Sequence, residues 1–251
     1  MPLTRTLLLT NDDGIRAPGL RILRERLMRE YRVVTVAPDR ERSAVSMGIT
    51  LTRPLRIHDE HSDQYAVDGT PADCINLALQ AAMDEPPDLV VSGMNQGENL
   101  SYDVFYSGTV GAAFTAHLYG LPALAVSMIP KIDQNGDLVF DYNGAAELAT
   151  EVIRRLLPVA RKTVVYNLNI PSGARKVRIT SLGDKRYHPE VVETRDPRGR
   201  RAYWLGTGRP EYHGDGQSDV VAVQEGDASL SILLYDLNAP DEFNHLKQVF
   251  S

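Results

Sequence analysis

Three polar clusters in this sequence carry side chains that are mostly oxygen donors. They are Asn11-Asp12-Asp13-Gly14, Pro38-Asp39-Arg40-Glu41-Arg42-Ser43, and Ser92-Gly93-Met94-Asn95-Gln96-Gly97-Glu98-Asn99. Within them Asp12, Asp13, Ser43 and Asn95 form a set that contains no Cys and no His. Hard divalent cations such as Mg²⁺ and Mn²⁺ take all-oxygen ligands, whereas zinc favours nitrogen and sulfur. Two carboxylates carry enough charge to hold one such ion and still leave positions for water and substrate. Each residue also has an ordinary use: Asn-Asp and Asp-Gly are turn formers, Ser43 can cap, and Asn95 suits a glycine-rich loop.

A fourth cluster, Tyr106-Ser107-Gly108-Thr109-Val110-Gly111-Ala112-Ala113, is a loop of small residues entering a helix. The amides of Gly108 and Thr109, with the hydroxyls of Ser107 and Thr109, can receive a phosphate at a helix N-terminus. Ser107 can equally be a plain cap on a helix whose small face packs against a sheet. No Gly-Lys-Ser/Thr follows, so this is not a Walker loop, and no Gly-x-Gly-x-x-Gly follows the first strand, which disfavours a dinucleotide site.

The elements that must position these clusters follow from periodicity. Short apolar or β-branched runs predict strands over 6–10, 32–37, 65–67, 88–92, 123–128 and 163–168. Between them, helical spacing predicts helices over 19–30, 70–83, 108–119 and 143–157, with Thr70 as N-cap, Pro71 at N1 and Asn143 as a second cap. This alternation is that of an α/β protein with a parallel sheet covered by helices on both faces. In such sheets the ligand crevice lies outside the carboxyl ends of the strands, so clusters far apart in sequence meet there.

After residue 171 the pattern changes to short strands over 175–181, 191–195 and 202–205. The last two flank Asp196-Pro197-Arg198-Gly199-Arg200, a turn signal that predicts a projecting antiparallel hairpin. Residues 206–216 read as loop and 241–250 as a short helix. The chain is therefore expected to divide into a catalytic core over 1–171 and a C-terminal region over 172–251.

Charge and cysteine usage exclude several classes. The formal net charge of −6 provides no overall basic field for duplex nucleic acid, and the single cysteine, Cys74, excludes an intramolecular disulfide and a multi-cysteine zinc site. Residues 104–130 contain no Asp, Glu, Lys or Arg, but Gly120, Pro122 and scattered hydroxyls read as a buried helix and strand rather than a membrane span. The first ten residues lack the apolar stretch of a secretory signal, so a cytoplasmic protein is expected. His58 and His61 are expected in a solvated polar loop, and His117 as a satisfied buried histidine. The basic tip at 195–201 reads as solvated, with Tyr203 and Trp204 beside it suited to a partner contact.

Taken together, Thr10-Asn11-Asp12-Asp13-Gly14, Ala37-Pro38-Asp39-Arg40 with Ser43, Ser92-Gly93-Met94-Asn95, and the run from Asp103 to Ala113 resemble the SurE family. The likeness continues through Asn167-Leu168-Asn169-Ile170-Pro171 and Asp196-Pro197-Arg198-Gly199-Arg200. It implies a Rossmann-like three-layer α/β/α core with a mostly parallel sheet and a projecting β-hairpin that takes part in homodimer or homotetramer formation. The implied activity is metal-dependent hydrolysis of nucleoside monophosphates, 5′ and 3′, with short polyphosphate as a further substrate. One divalent cation per subunit, Mg²⁺ or Mn²⁺, would be held by Asp12, Asp13, Ser43 and Asn95. Asn99, Ser107, Gly108 and Thr109 would bind the substrate phosphate, and Asp12 or Asp13 would position or deprotonate the attacking water. The chain departs from the family where a Gly-Thr-Asp triplet is usual, reading Gln217-Ser218-Asp219 instead. The rival readings are a non-catalytic nucleotide or metal sensor on the same crevice, and an assembly protein whose hairpin is the working part.

Overall fold

Leu7-Leu8-Leu9 forms the centre of a strand buried on both faces, and the alternation of its side chains divides the core in two. Leu7 and Leu9 point into one apolar cluster and Leu8 into the other. The computed structural model describes residues 5–188, 190–206, 208, 210–238 and 240–250. Its strands are β1 (Thr6–Thr10), β2 (Arg32–Pro38), β3 (Ile57–His61), β4 (Gln64–Val67), β5 (Leu89–Gln96), β6 (Ala123–Ile129), β7 (Lys131–Ile132) and β8 (Leu138–Val139). These are followed by β9 (Val165–Pro171), β10 (Val177–Thr180), β11 (Asp184–Arg186), β12 (Glu190–Arg195), β13 (Arg201–Gly206), β14 (Glu211–His213) and β15 (Ala228–Leu233). The α-helices are α1 (Pro18–Leu27), α2 (Pro71–Leu77), α3 (Gly108–Leu118), α4 (Tyr142–Leu156), α5 (Asp219–Gln224) and α6 (Pro240–Val249).

Nine strands make one sheet in the order β10-β15-β9-β6-β5-β1-β2-β4-β3. The run from β4 through β2, β1, β5 and β6 to β9 is parallel throughout. Leu20, Leu23 and Leu27 put α1 on one face, where it packs with α4, while α2 and α3 pack together on the other. Chain direction away from β1 therefore reverses at the gap between β1 and β5. That switch point is where a doubly wound sheet opens a crevice at its carboxyl edge. The α/β class, the mostly parallel sheet and the antiparallel hairpin, β12 with β13, are all present.

Local chemistry explains the helix starts. Thr70 Oγ1 accepts from Asp73 N (3.1 Å) and Asp73 Oδ2 accepts from Thr70 N (2.9 Å), a reciprocal cap that starts α2 where expected. The helix then loosens into a π-helical turn, Ala78–Ala82. For α4 the cap is Asp141, not Asn143: Asp141 Oδ1 accepts from Gly144 N (2.9 Å), which places Asn143 inside the first turn.

Several expectations are corrected by pairing that local pattern does not encode. His58 and His61 lie in β3, which runs antiparallel to β4, rather than in a loop. Within 206–216, β14 pairs with β11. The atypical C-terminal stretch supplies α5 and the buried β15, which pairs antiparallel with β9 and parallel with β10. Two strands from beyond residue 171 thus extend the main sheet. The hairpin is a separate two-stranded sheet with Val191, Val192, Tyr203, Trp204 and Leu205 exposed. Among the described residues no helix is long and apolar enough to cross a membrane.

Candidate active site

The loops leaving β1, β2 and β5 are tied together by backbone bonds. Asn11 closes its own turn, with Nδ2 donating to Gly14 O (3.0 Å) and Oδ1 accepting from Gly14 N (3.1 Å). Ile15 N donates to Pro38 O (2.8 Å), and Arg42 N donates to Asp12 O (2.7 Å), so the β1 and β2 loops run side by side. Ser46 reaches the entry to α3, its N donating to Tyr106 O (3.0 Å) and its Oγ to Phe105 O (2.7 Å). To lie there, Ala44 and Ser46 take left-handed backbone angles, φ +57° and +52°, which cost non-glycine residues energy. Gly111 matters here, because a Cβ at that position would collide with Ser46 O.

This arrangement encloses a crevice of about 730 Å³. Of the residues singled out from sequence, Asp12, Asp13, Ser43, Asn95, Asn99 and Ser107 line it. Asp12 is almost fully buried. Its Oδ2 accepts from Thr109 N (3.1 Å) and its Oδ1 accepts from Thr109 Oγ1. A Cβ on Gly108 would stand 2.9 Å from Asp12 Oδ2, so only glycine lets the carboxylate sit on the helix end. Asp13 Oδ2 accepts from Gln96 N (3.2 Å), a bond from the β1 loop to β5 across the switch point. Ser43 Oγ donates to Glu41 Oε1 (2.9 Å). Asn95 Nδ2 donates to Gly97 O (3.0 Å), so the atom it can offer a cation is Oδ1.

The expected phosphate loop is divided by these contacts. Gly108 and Thr109 do not line the crevice, and both polar groups of Thr109 are engaged by Asp12. The N-terminus of α3 therefore receives a carboxylate of its own chain, and Thr109 orients Asp12. Ser107 does face the crevice; its Oγ accepts from Val110 N (3.1 Å), which leaves the hydroxyl proton to donate outward. Asn99 is fixed from β9 and β6. Its N donates to Asn169 Oδ1 (2.8 Å), its O accepts from Asn167 Nδ2 (2.9 Å) and Asn169 Nδ2 (3.1 Å), and its Nδ2 donates to Ser127 Oγ (2.7 Å). That network is the work of the Asn167-Leu168-Asn169 motif.

Burial raises the pKa of Asp12, against the pull of Thr109. Burial, and next the charge of Asp12, push Asp13 up from 3.8 to about 7. Two neighbouring carboxylates that resist ionisation are the environment a divalent cation stabilises, and the surrounding donors are all oxygen, so the residues fit such an ion. Among the described residues no group of three or more His, Cys, Asp or Glu is arranged to hold a metal.

Sequence reasoning missed Lys185, a buried cation lining the same crevice from β11. Nothing in Asp184-Lys185-Arg186 distinguishes it from a solvated turn. Glu41, Glu98 and Asp103, also in the lining, stood inside motifs whose other members drew attention.

Fold and site together define a doubly wound α/β protein with an acidic crevice at its switch point, the build of a phosphoryl-group hydrolase. The family profile described as Survival protein SurE matches residues 7–189, and the chain belongs to the SurE family. It is 42% identical to "5′-nucleotidase SurE" of Carboxydothermus hydrogenoformans, over 96% of this chain and 94% of that protein. With the protein of the same name from Syntrophotalea carbinolica it shares 43% identity over 92% of each chain. The crystal structure of the SurE protein from Aquifex aeolicus superposes with a TM-score of 0.83 at 33% identity, covering 98% of this chain and all of that one.

Proposed function

We propose that this protein is a divalent-metal-dependent 5′-nucleotidase, hydrolysing nucleoside monophosphates to nucleoside and phosphate. The observation that carries the reading is the pair of neighbouring carboxylates, Asp12 and Asp13, set at the switch point with Ser43 and Asn95 around the same crevice. The relatives named above carry that activity in their names. Asp12, Asp13, Ser43 and Asn95 are the residues that would hold Mg²⁺ or Mn²⁺. When bound, the ion neutralises charge on the phosphoryl oxygens.

The remaining work falls to the chain's own groups. Thr109 and the amides of α3 keep Asp12 oriented and favour its ionised form. Both Asp12 oxygens are thereby engaged, while Asp13 has one oxygen on Gln96 N and the other available to orient or deprotonate the attacking water. The Ser107 hydroxyl and the second Nδ2 proton of Asn99 are donors for phosphoryl oxygens.

We also propose 3′-nucleotides and short polyphosphate as substrates of the same crevice. We further infer a cytoplasmic homodimer or homotetramer in which the exposed apolar hairpin takes part. The test is phosphate release from a panel of 5′- and 3′-mononucleotides with Mn²⁺, with Mg²⁺ and with EDTA. Release that requires the metal supports the reading. Mononucleotide binding without release from any member would make the protein a sensor instead.

A further inference from the structure

Lys185 comes from the part of the chain beyond the parallel core, yet it lines the crevice with its side chain only 4% exposed. Its Nζ pairs with Glu98 Oε1 (2.7 Å) and Asp103 Oδ2 (2.6 Å), and lies 4.7 Å from the centroid of the Tyr187 ring. Tyr187 Oη donates to the other Asp103 oxygen (2.7 Å), and Tyr212 Oη donates to Glu98 Oε1 (2.9 Å). The backbone is joined as well. Lys185 N donates to Ser101 Oγ (2.9 Å), which donates to Gly183 O (2.8 Å). Asp219 accepts from Ser101 N (2.8 Å) and from Gly183 N (2.7 Å). Residues 98–107, which carry both Asn99 and Ser107, are thus held at their start and middle by side chains from the C-terminal third of the chain.

The charges explain why a cation is needed there. Asp12, Asp13, Glu41, Glu98 and Asp103 all line the crevice, and Lys185 is its one lining cation among the described residues. A phosphate monoester enters as a dianion. A divalent ion on the Asp12 and Asp13 side does not compensate Glu98 and Asp103, which are paired with Lys185 instead. Burial lowers the pKa of the ammonium, but its bonds to Asp103 and Glu98 outweigh that and keep it protonated.

We propose that Lys185 is a positioning residue for the substrate phosphate: by neutralising Glu98 and Asp103 and tying them down, it sets the geometry of residues 98–107 and admits a dianion. This rests on the reading that the crevice takes phosphate monoesters. It also gives the C-terminal region a direct hold on substrate affinity.

The experiment compares wild type, Lys185→Met, Lys185→Arg and Lys185→Met/Asp103→Asn in the full chain loaded with Mn²⁺. Readouts are kcat and KM for adenosine 5′-monophosphate, Kd for inorganic phosphate, and thermal unfolding, each at low and high salt. Lys185→Met should raise KM and phosphate Kd about tenfold or more, with a smaller change in kcat, because it leaves two half-buried carboxylates uncompensated in the crevice. The increase should shrink as salt screens those charges, Arg should restore most of the affinity, and the added Asp103→Asn should recover part of it. Unchanged KM and Kd in folded Lys185→Met overturns the proposal. So does an increase that is indifferent to salt and not rescued by Arg. If Lys185→Met does not fold, Tyr187→Phe, which frees one Asp103 oxygen, must raise KM by itself, and an unchanged KM there is equally fatal. Should wild type release no phosphate from any mononucleotide, the nucleotidase reading fails, and the phosphate Kd series still decides the role of Lys185.

Discussion

Asp13→Asn should make the metal-free protein more stable while removing its metal-dependent turnover. The carboxyl of Asp13 is raised from 3.8 to about 7, by burial first and the charge of Asp12 second. A carboxylate with a raised folded pKa costs stability as an anion: no cost below the unfolded value, a growing cost as pH climbs toward 7, and the full cost above it. A shift of roughly 3 units at 1.36 kcal/mol each sets a ceiling of about 4 kcal/mol, which solvent at the open crevice reduces to about 2–3 kcal/mol. Asparagine keeps the shape, can still accept from Gln96 N, and carries no charge to bury. At pH 8 in EDTA the variant should therefore melt roughly 5–10 °C above wild type, and at pH 4 the two should converge. Calorimetry at both pH values, beside phosphate-release assays with Mn²⁺, makes the measurement. A variant no more stable than wild type at pH 8 without metal would refute the claim that the site is strained by its own charges. A variant with normal metal-dependent turnover would remove Asp13 from the catalytic set.

Four further outcomes follow from the same geometry. Titrating Mg²⁺ or Mn²⁺ into wild type should raise its melting temperature more at pH 8 than at pH 5, because the ion must displace the proton that Asp13 holds below about 7; equal stabilisation at both values would count against metal binding there. Thr109→Val deletes the hydroxyl bond to a buried carboxylate and should cost about 1–3 kcal/mol in urea unfolding, with a fall in kcat. Gly111→Ala should improve helix propensity yet lower activity, since the new Cβ displaces Ser46 and the loop bearing Ser43; unchanged kinetics would show that this loop position is not needed. Asp219→Ala leaves the amides of Ser101, Gly183 and Val220 unpaired and should destabilise by about 3–5 kcal/mol in thermal or denaturant unfolding.

Features that depend on neighbours along the chain were legible in the residues alone. Apolar runs and helical spacing placed the parallel strands and α1 to α4, because burial on one face imposes a period that survives in any tertiary setting. Asp196-Pro197-Arg198-Gly199-Arg200 determined a reverse turn, and β12 and β13 pair across it. Thr70-Pro71 with Asp73 determined the start of α2. The oxygen-donor clusters were visible as clusters, and the rule that crevices open at strand carboxyl ends brought Asp12, Asp13, Ser43, Asn95 and Asn99 toward one another in advance, while Ser107 was visible in a motif of its own at a helix start.

Which atoms meet is a matter of long-range packing. Asp12 and Thr109 are 97 residues apart, and no local pattern distinguishes a helix N-terminus that will receive a carboxylate from one that awaits a phosphate. The β11–β14 pairing joins segments that each look like loop, and it is what carries Lys185 into the crevice. Asp219, within the atypical triplet, is a polar residue of ordinary aspect until three amides from distant loops and its own helix converge on it. Periodicity records that a face is buried, not against what. The charge, hydrogen-bond and burial balance of a site is settled by side chains whose separation in sequence has no bearing on their separation in space.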